Sequence, residues 1–261
     1  MNEGYSTERA ILETKDLTRY FGNVAALDNI NLVINKDQIT SLIGPNGAGK
    51  TTFFNALTGR FKPSSGRILF KGKDITGLPP HKIIPKGLAR SFQITSVFKE
   101  LTVLENIRAA VIARSTARMN LFKNVGSFSS LYEQSMHYLK LVGLEDKKDM
   151  PCKTLSHGDM RTIEVGMTLA SDPDLILLDE PTQGMTPEET KRMVDLIKEL
   201  SKKTKTTFFL IEHDMNVVFS ISDRIVVLYY GNVLADGSPD EIRANHKVKE
   251  AYLGGLSNAE S

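Results

Sequence analysis

The octet Gly44-Pro45-Asn46-Gly47-Ala48-Gly49-Lys50-Thr51 has a glycine, four variable residues and then Gly-Lys-Thr. That spacing suits one task, the cradling of a phosphate chain. Glycines let successive backbone N–H groups turn into one concavity, and a helix starting behind them adds a favourable dipole. Lys50 reaches the β- and γ-phosphates, the Thr51 hydroxyl serves a Mg²⁺ ion, and Thr52 follows it into the helix. A second chemical signal closes the apolar run "LILLDE", where Asp179 and Glu180 stand side by side. At the carboxyl end of a buried strand, Asp179 is placed to hold the same ion, directly or through water. Glu180 is placed to polarise an attacking water. Without the phosphate loop, the pair would read as two solvated carboxylates.

The elements that must position these groups are legible from periodicity. Residues 11–17, 30–34 and 39–43 read as short strands separated by turn residues such as Asn35-Lys36-Asp37. The third runs straight into the phosphate loop, and helical periodicity follows from Gly49. Residues 67–71 read as another strand. "LPPHKIIPKGLAR" holds three prolines, which can bracket only a very short helix. From 97 to 169 strand signals give way to helical patterns, "TVLENIRAAVIA", "SLYEQSMHYLKLVGL" and "EVGMTLA". The polar stretch after Arg114 reads as a surface loop, with an amphipathic contact segment as the other reading. Residues 175–178 and 206–211 are continuous apolar runs of the kind found in parallel strands covered on both faces. A helix over 187–200 joins them in a strand–helix–strand crossover. "RIVVLYYGNVLADG" reads as a hairpin turning at Gly231-Asn232.

Composition narrows the function classes. The chain has 261 residues, 41% of them hydrophobic and 25% charged, which suits a globule with a sizeable core. A net charge of +2 gives no footprint for nucleic acid. The single cysteine, Cys152, excludes an internal disulfide, fits a reducing compartment and reads as structural. The N-terminus lacks a basic start followed by an apolar run, and no apolar stretch approaches the ~18 residues of a membrane span. The expected address is the cytoplasm, with any membrane role peripheral and through a partner.

Three further segments complete a pattern. "RSFQ" carries Gln93, "LSHGD" opens a helix, and "LIEHD" puts His213 at the end of an apolar strand. With "GPNGAGKT" and "LILLDE", in this order, they resemble the nucleotide-binding subunit of ATP-binding cassette transporters. The resemblance runs from Leu12 to about Tyr252. "RSFQITSVFKELTVLENI", "IEHDMNVV" and "ADGSPDEIRAN" look most like the branch that serves importers of branched-chain amino acids and their urea or amide relatives. The resemblance implies an α/β fold: a P-loop NTPase core with a mostly parallel sheet, an N-terminal antiparallel β subdomain and an inserted helical subdomain. The core covers residues 1–94 and 170–261, and the helical insertion covers 95–169.

Site roles follow from the same resemblance. Phe21 would stack on adenine, with Tyr20 the second choice and a core aromatic at a strand edge the other reading. Gln93 would contact Mg²⁺ or the attacking water. His213 would hydrogen-bond the γ-phosphate and position that water, although a strand-end histidine beside Asp214 is often structural. The family's usual L-S-G-G-Q is matched by Leu155, Ser156 and Gly158, while His157 and Asp159 depart. Ser156 and the free N–H groups behind it, Gly158 included, would face the γ-phosphate held by a second subunit. His157 is tolerable if its φ is negative. Asp159 is expected to turn toward its own helix, in a capping-box pattern that accepts from the Ser156 N–H. Thr186 stands where the family often has an aspartate that links the two ATP sites.

The implied function is ATP binding and hydrolysis by a head-to-tail pair, formed with a related subunit or a second copy. It would drive membrane permease subunits and, indirectly, serve an extracellular solute-binding protein. Another cargo, export, or a non-transport ATP-driven switch is the alternative. The single cassette and the lack of a heptad run count against relatives that act on ribosomes or in DNA repair.

Overall fold

A computed structural model describes residues 9–91, 97–114 and 126–257. Two long strands, β1 (Ala10–Phe21) and β2 (Val24–Asn35), pair antiparallel through the Gly22-Asn23 turn. The alternation breaks where Asp16 and Asn29 take left-handed backbone angles, φ 49° and 50°. In the pairing of β1 with β2, register shifts flank Leu17 on both sides. Such a bulge re-aims the strand without ending it, so β1 continues past the predicted stop at 17.

The chain continues with β3 (Ile39–Ile43), α1 (Lys50–Leu57), β4 (Ser65–Phe70), β5 (Lys73–Asp74), α2 (Pro80–Ile83) and β6 (Leu88–Arg90). Three helices follow: α3 (Val103–Arg114), α4 (Gly126–Leu141) and α5 (His157–Leu169). Then come β7 (Leu175–Asp179), α6 (Pro187–Lys203), β8 (Thr207–Ile211), α7 (Met215–Ile221), β9 (Arg224–Tyr229) and β10 (Asn232–Gly237). The described chain ends with α8 (Pro239–Ala244) and α9 (His246–Ser257).

Two sheets result. One is antiparallel, in the order β2-β1-β4-β5; the other runs β10-β9-β3-β8-β7-β6. In the second sheet only the β9–β10 hairpin is antiparallel. β3 lies between β8 and β9, so its carboxyl end opens between two neighbours that arrive much later in the chain. Open α/β sheets bind ligands at that kind of position. Arg224 ties the two sheets together: its guanidinium grips Asp236 at 2.6 and 2.5 Å and donates to the carbonyl of Val33 at 2.6 Å.

The core divides by sheet face. On one side, α1 lays Phe53 and Phe54 against Phe209, with ring centroids 6.3 and 5.0 Å apart. On the other, Ile176, Leu178, Phe208 and Leu210 share one buried cluster with Val103 and Ile107 of α3, Ile163 of α5 and Met193 of α6. Apolar burial on that face therefore runs without a break from the sheet into the helices. Cys152 sits in this cluster, with Asn106 donating to its sulfur at 3.2 Å, and burial pushes the thiol up from its ordinary value.

Three details depart from the sequence reading. The hairpin turns at Tyr230-Gly231, both at positive φ, and Asn232 already belongs to β10. Strand β6 was not expected, since three residues are too few to show alternation. Residues 115–125 of the polar stretch lie outside the described residues, while α4 starts at Gly126, earlier than its apolar pattern suggests.

Candidate active site

The loop after β3 is shaped by what crowds it. A Cβ on Gly44 would lie 2.2 Å from the carbonyl oxygen of Leu228 in the neighbouring strand. Gly49 caps α1 with φ 105°, and a Cβ there would meet the carbonyl of Ala26 at 2.5 Å. Only glycine fits such close approaches at these backbone angles. The β9–β10 turn pins the loop from behind, with the N–H of Gly231 donating to the carbonyl of Ala48 at 3.0 Å. Buried Lys50 folds back inside the loop, its Nζ donating to the carbonyls of Gly44 at 2.6 Å and Pro45 at 3.0 Å. Burial lowers its pKa, opposed by the charges of Glu180 and Asp179. The result is a cradle of about 240 Å³ lined by residues 46–52, Ala26, Glu180 and His213.

The acidic pair splits into two environments. Asp179 ends β7 with its side chain fully buried. One oxygen pairs with Arg90, whose guanidinium also donates to Asn55 Oδ1 of α1 at 2.7 Å. The other oxygen, Oδ1, is buried with no partner among the described residues. Glu180 sits at φ 52°, a left-handed angle that costs a non-glycine residue on the order of 1 kcal/mol. Its N–H is fixed by the carbonyl of Ile211 at 2.9 Å, and its Oε1 lies 2.6 Å from Nε2 of His213, a ring 46% exposed. The strained angle turns the carboxylate out of the sheet toward the cradle.

A third carboxylate holds this loop in place. Buried Glu212 accepts from the hydroxyl of Thr182 at 2.6 Å, from the N–H of Thr182 at 3.1 Å and from the N–H of His213 at 3.1 Å. Burial raises its pKa, against those donors and with help from the charge of Glu180. The segment carrying Glu180 is thus tied to the one carrying His213.

The donors here fit Mg²⁺ held between protein and phosphate. An orphaned, buried Oδ1 of Asp179 and the exposed hydroxyl of Thr51 are hard oxygen ligands. Among the described residues no group of three or more His, Cys, Asp or Glu forms a cage of its own. Mg²⁺ binds in this manner, through one or two protein oxygens plus substrate phosphates.

The tip of α5 lies apart from the cradle. Ser156 caps the helix, accepting from the N–H of Asp159 at 3.1 Å, and His157 is the first helical residue, absent from the positive-φ positions. The carboxylate of Asp159 pairs with Lys147, outside its own helix, and the capping-box bond to the Ser156 N–H does not form. A cation on the 3₁₀ turn Glu145–Lys147 competes better for a carboxylate than a neutral N–H does. The N–H of Gly158 instead donates to Glu189 Oε1 at 3.1 Å. Thr186 makes a complete capping box with that same Glu189.

Phe21 and Tyr20 are half-exposed at the end of β1, and neither lines the cradle. Phe21 meets Phe61 edge-on at 5.8 Å, and Arg19 sits 4.7 Å over its ring. Gln93 lies outside the described residues. The sequence reading overlooked Arg90, Glu189 and Glu212. "RSFQ" and "LIEHD" contain the first and the last, but each acts on a residue at least 30 positions away.

Comparison with known proteins agrees with this geometry. The sequence pattern of the ABC transporter family matches residues 27–183, and that of the branched-chain amino acid ATP-binding cassette transporter matches residues 232–255. The chain is 42% identical over 251 residues to the high-affinity branched-chain amino acid transport ATP-binding protein BraF of Pseudomonas aeruginosa, covering 94% of this chain and 98% of that protein. It is 40% identical to LivG of Escherichia coli K12, which carries the same description, with the same coverage. A crystal structure of the ADP conformation of an ATP-binding cassette of an ABC transporter superposes with a TM-score of 0.83 at 32% identity. That match covers 94% of this chain and 99% of the other. With its phosphate loop, its acidic strand end and its two sheets all in place, this chain belongs to the ABC transporter family and is one of its ATP-hydrolysing subunits.

Proposed function

We propose that this chain is the ATPase subunit of an importer of branched-chain amino acids or related small solutes, acting through membrane permease subunits. The observation that carries the catalytic part is the 2.6 Å contact between Glu180 and His213 on the wall of the phosphate cradle. The cargo assignment rests on the names of the relatives and on the match over residues 232–255.

The N–H groups of residues 46–52 and the ammonium of Lys50 hold the phosphates of ATP, and Phe21 stacks on the adenine. To bind phosphate, Lys50 exchanges its two carbonyl acceptors for phosphate oxygens. Thr51, Asp179 and Gln93 would hold Mg²⁺, which would supply positive charge against the phosphate oxygens. Glu180 takes the proton of the attacking water, while His213 keeps that carboxylate aimed and contacts the γ-phosphate. A second ATP-binding subunit, a related chain or another copy, completes the site with its own Ser156 and Gly158. Loss of the γ-phosphate removes those contacts, the pair reopens, and the helical segment of residues 95–169 passes the motion to the permease. Among the described residues no helix is long and apolar enough to cross a membrane, which suits a peripheral subunit on the cytoplasmic face.

The Glu180→Gln variant tests this reading. Steady-state phosphate release should fall at least a hundredfold, within the range for a general base, while ATP binding persists and an ATP-dependent dimer accumulates. Unchanged turnover in that variant removes Glu180 from the role.

A further inference from the structure

The tip of α5 is already occupied by an anion. Glu189, on the first turn of α6, sends Oε2 to the N–H of Thr186 at 3.1 Å and Oε1 to the N–H of Gly158 at 3.1 Å. The hydroxyl of Ser156, at the same tip, helps to hold that carboxylate below its ordinary pKa. The Gly158 N–H and the Ser156 hydroxyl are the groups that the proposed function assigns to a partner's γ-phosphate. Gly158 also permits the approach, since a Cβ there would come within 2.7 Å of Glu189 Oε1.

We propose that the Glu189 carboxylate is an internal stand-in for phosphate, filling the tip of α5 in the open subunit and leaving it when a partner's ATP is clamped there. The inference rests on the proposed role of α5 and adds the residue that opposes closure. One set of donors cannot serve two anions, and like charges at one helix tip repel. The carboxyl is held down to about 2, first by the N–H of Thr186, then by Ser156 and Gly158, so it is ionised wherever the protein functions. A displaced Glu189 has somewhere to go, because the groove beside the tip is also lined by Arg192, one turn further along α6. Closure therefore exchanges one charge-assisted contact for another. ATP must supply the difference.

The test uses the full chain carrying Glu180→Gln, titrated with ATP while dimer is followed by light scattering. Adding Glu189→Gln, which keeps the shape and removes the charge, should lower the ATP concentration at half-dimerisation about fivefold. That is the low end for coupling between sites, because Glu189 is partly solvated. Adding Glu188→Gln, an exposed carboxylate on the same turn, should leave the midpoint within twofold. Amide hydrogen exchange at Gly158 in the nucleotide-free chain should quicken in Glu189→Gln alone. A midpoint that stays put or rises, or equal shifts from both variants, overturns the inference while leaving the proposed function standing. If Glu180→Gln gives no dimer at any ATP concentration, the role of α5 fails and the inference falls with it.

Discussion

Arg90 is the only described cation paired with the buried carboxylate of Asp179, and removing it tests how the metal end of the site is built. In Arg90→Met, Asp179 keeps its fully buried position with neither oxygen paired among the described residues, and Asn55 loses the guanidinium that joined it to β7. Breaking a buried ion pair from one side costs about 3–5 kcal/mol, because the remaining charge is desolvated and uncompensated. For a chain of this size, each kcal/mol moves the melting temperature about 2–4 °C, so a drop of roughly 10 °C is expected by circular dichroism without nucleotide. Arg90→Lys should recover less than half, since a single ammonium cannot fork between Asn55 and Asp179. Asp179→Asn strands the cation instead. The double variant removes both charges and should be more stable than the sum of the two losses predicts, by at least about 1 kcal/mol. Losses that simply add, to within about 0.5 kcal/mol, would refute the pairing as the source of stability.

Two further outcomes follow from the site. Lys50→Ala should weaken ATP binding about 10- to 100-fold in a nucleotide titration, since it deletes charge-assisted hydrogen bonds worth about 1.5–3 kcal/mol, without altering the fold seen by circular dichroism. Glu212 has its folded pKa raised by burial above the ordinary 4.5. Its contribution is therefore full below pH 4.5 and is lost as pH rises through the folded value. The stability gap between wild type and Glu212→Gln, read from denaturation midpoints, should shrink as pH climbs from 4.5 toward 8; a gap that widens contradicts the raised value.

The cradle was legible because its chemistry is local. Residues 44–51 supply glycine freedom, consecutive N–H groups and a helix start within one turn of chain, and no distant residue is needed to recognise that. The same holds for the strand ends at Asp179 and His213, where long apolar runs stop at polar residues. The limits of locality also show. Three residues at Leu88–Arg90 become a strand only because β7 lies alongside, and the hairpin turns one residue early because Tyr230 accepts a positive φ.

What tertiary structure alone decided is which charge meets which. Arg90 finds Asp179 across 89 positions, Glu189 reaches Gly158 across 31, and Glu212 holds Thr182 across 30. Each pairing depends on two elements being stacked side by side, information that no short window of residue types contains. The sequence alone identified a loop able to cradle a phosphate chain and the pair of carboxylates that closes the apolar run "LILLDE". Only the folded chain showed that the tip of α5, which the proposed function assigns to a partner's γ-phosphate, already holds a carboxylate, because hydrogen bonding is decided by distance in space and the residues that share it need not be near in sequence.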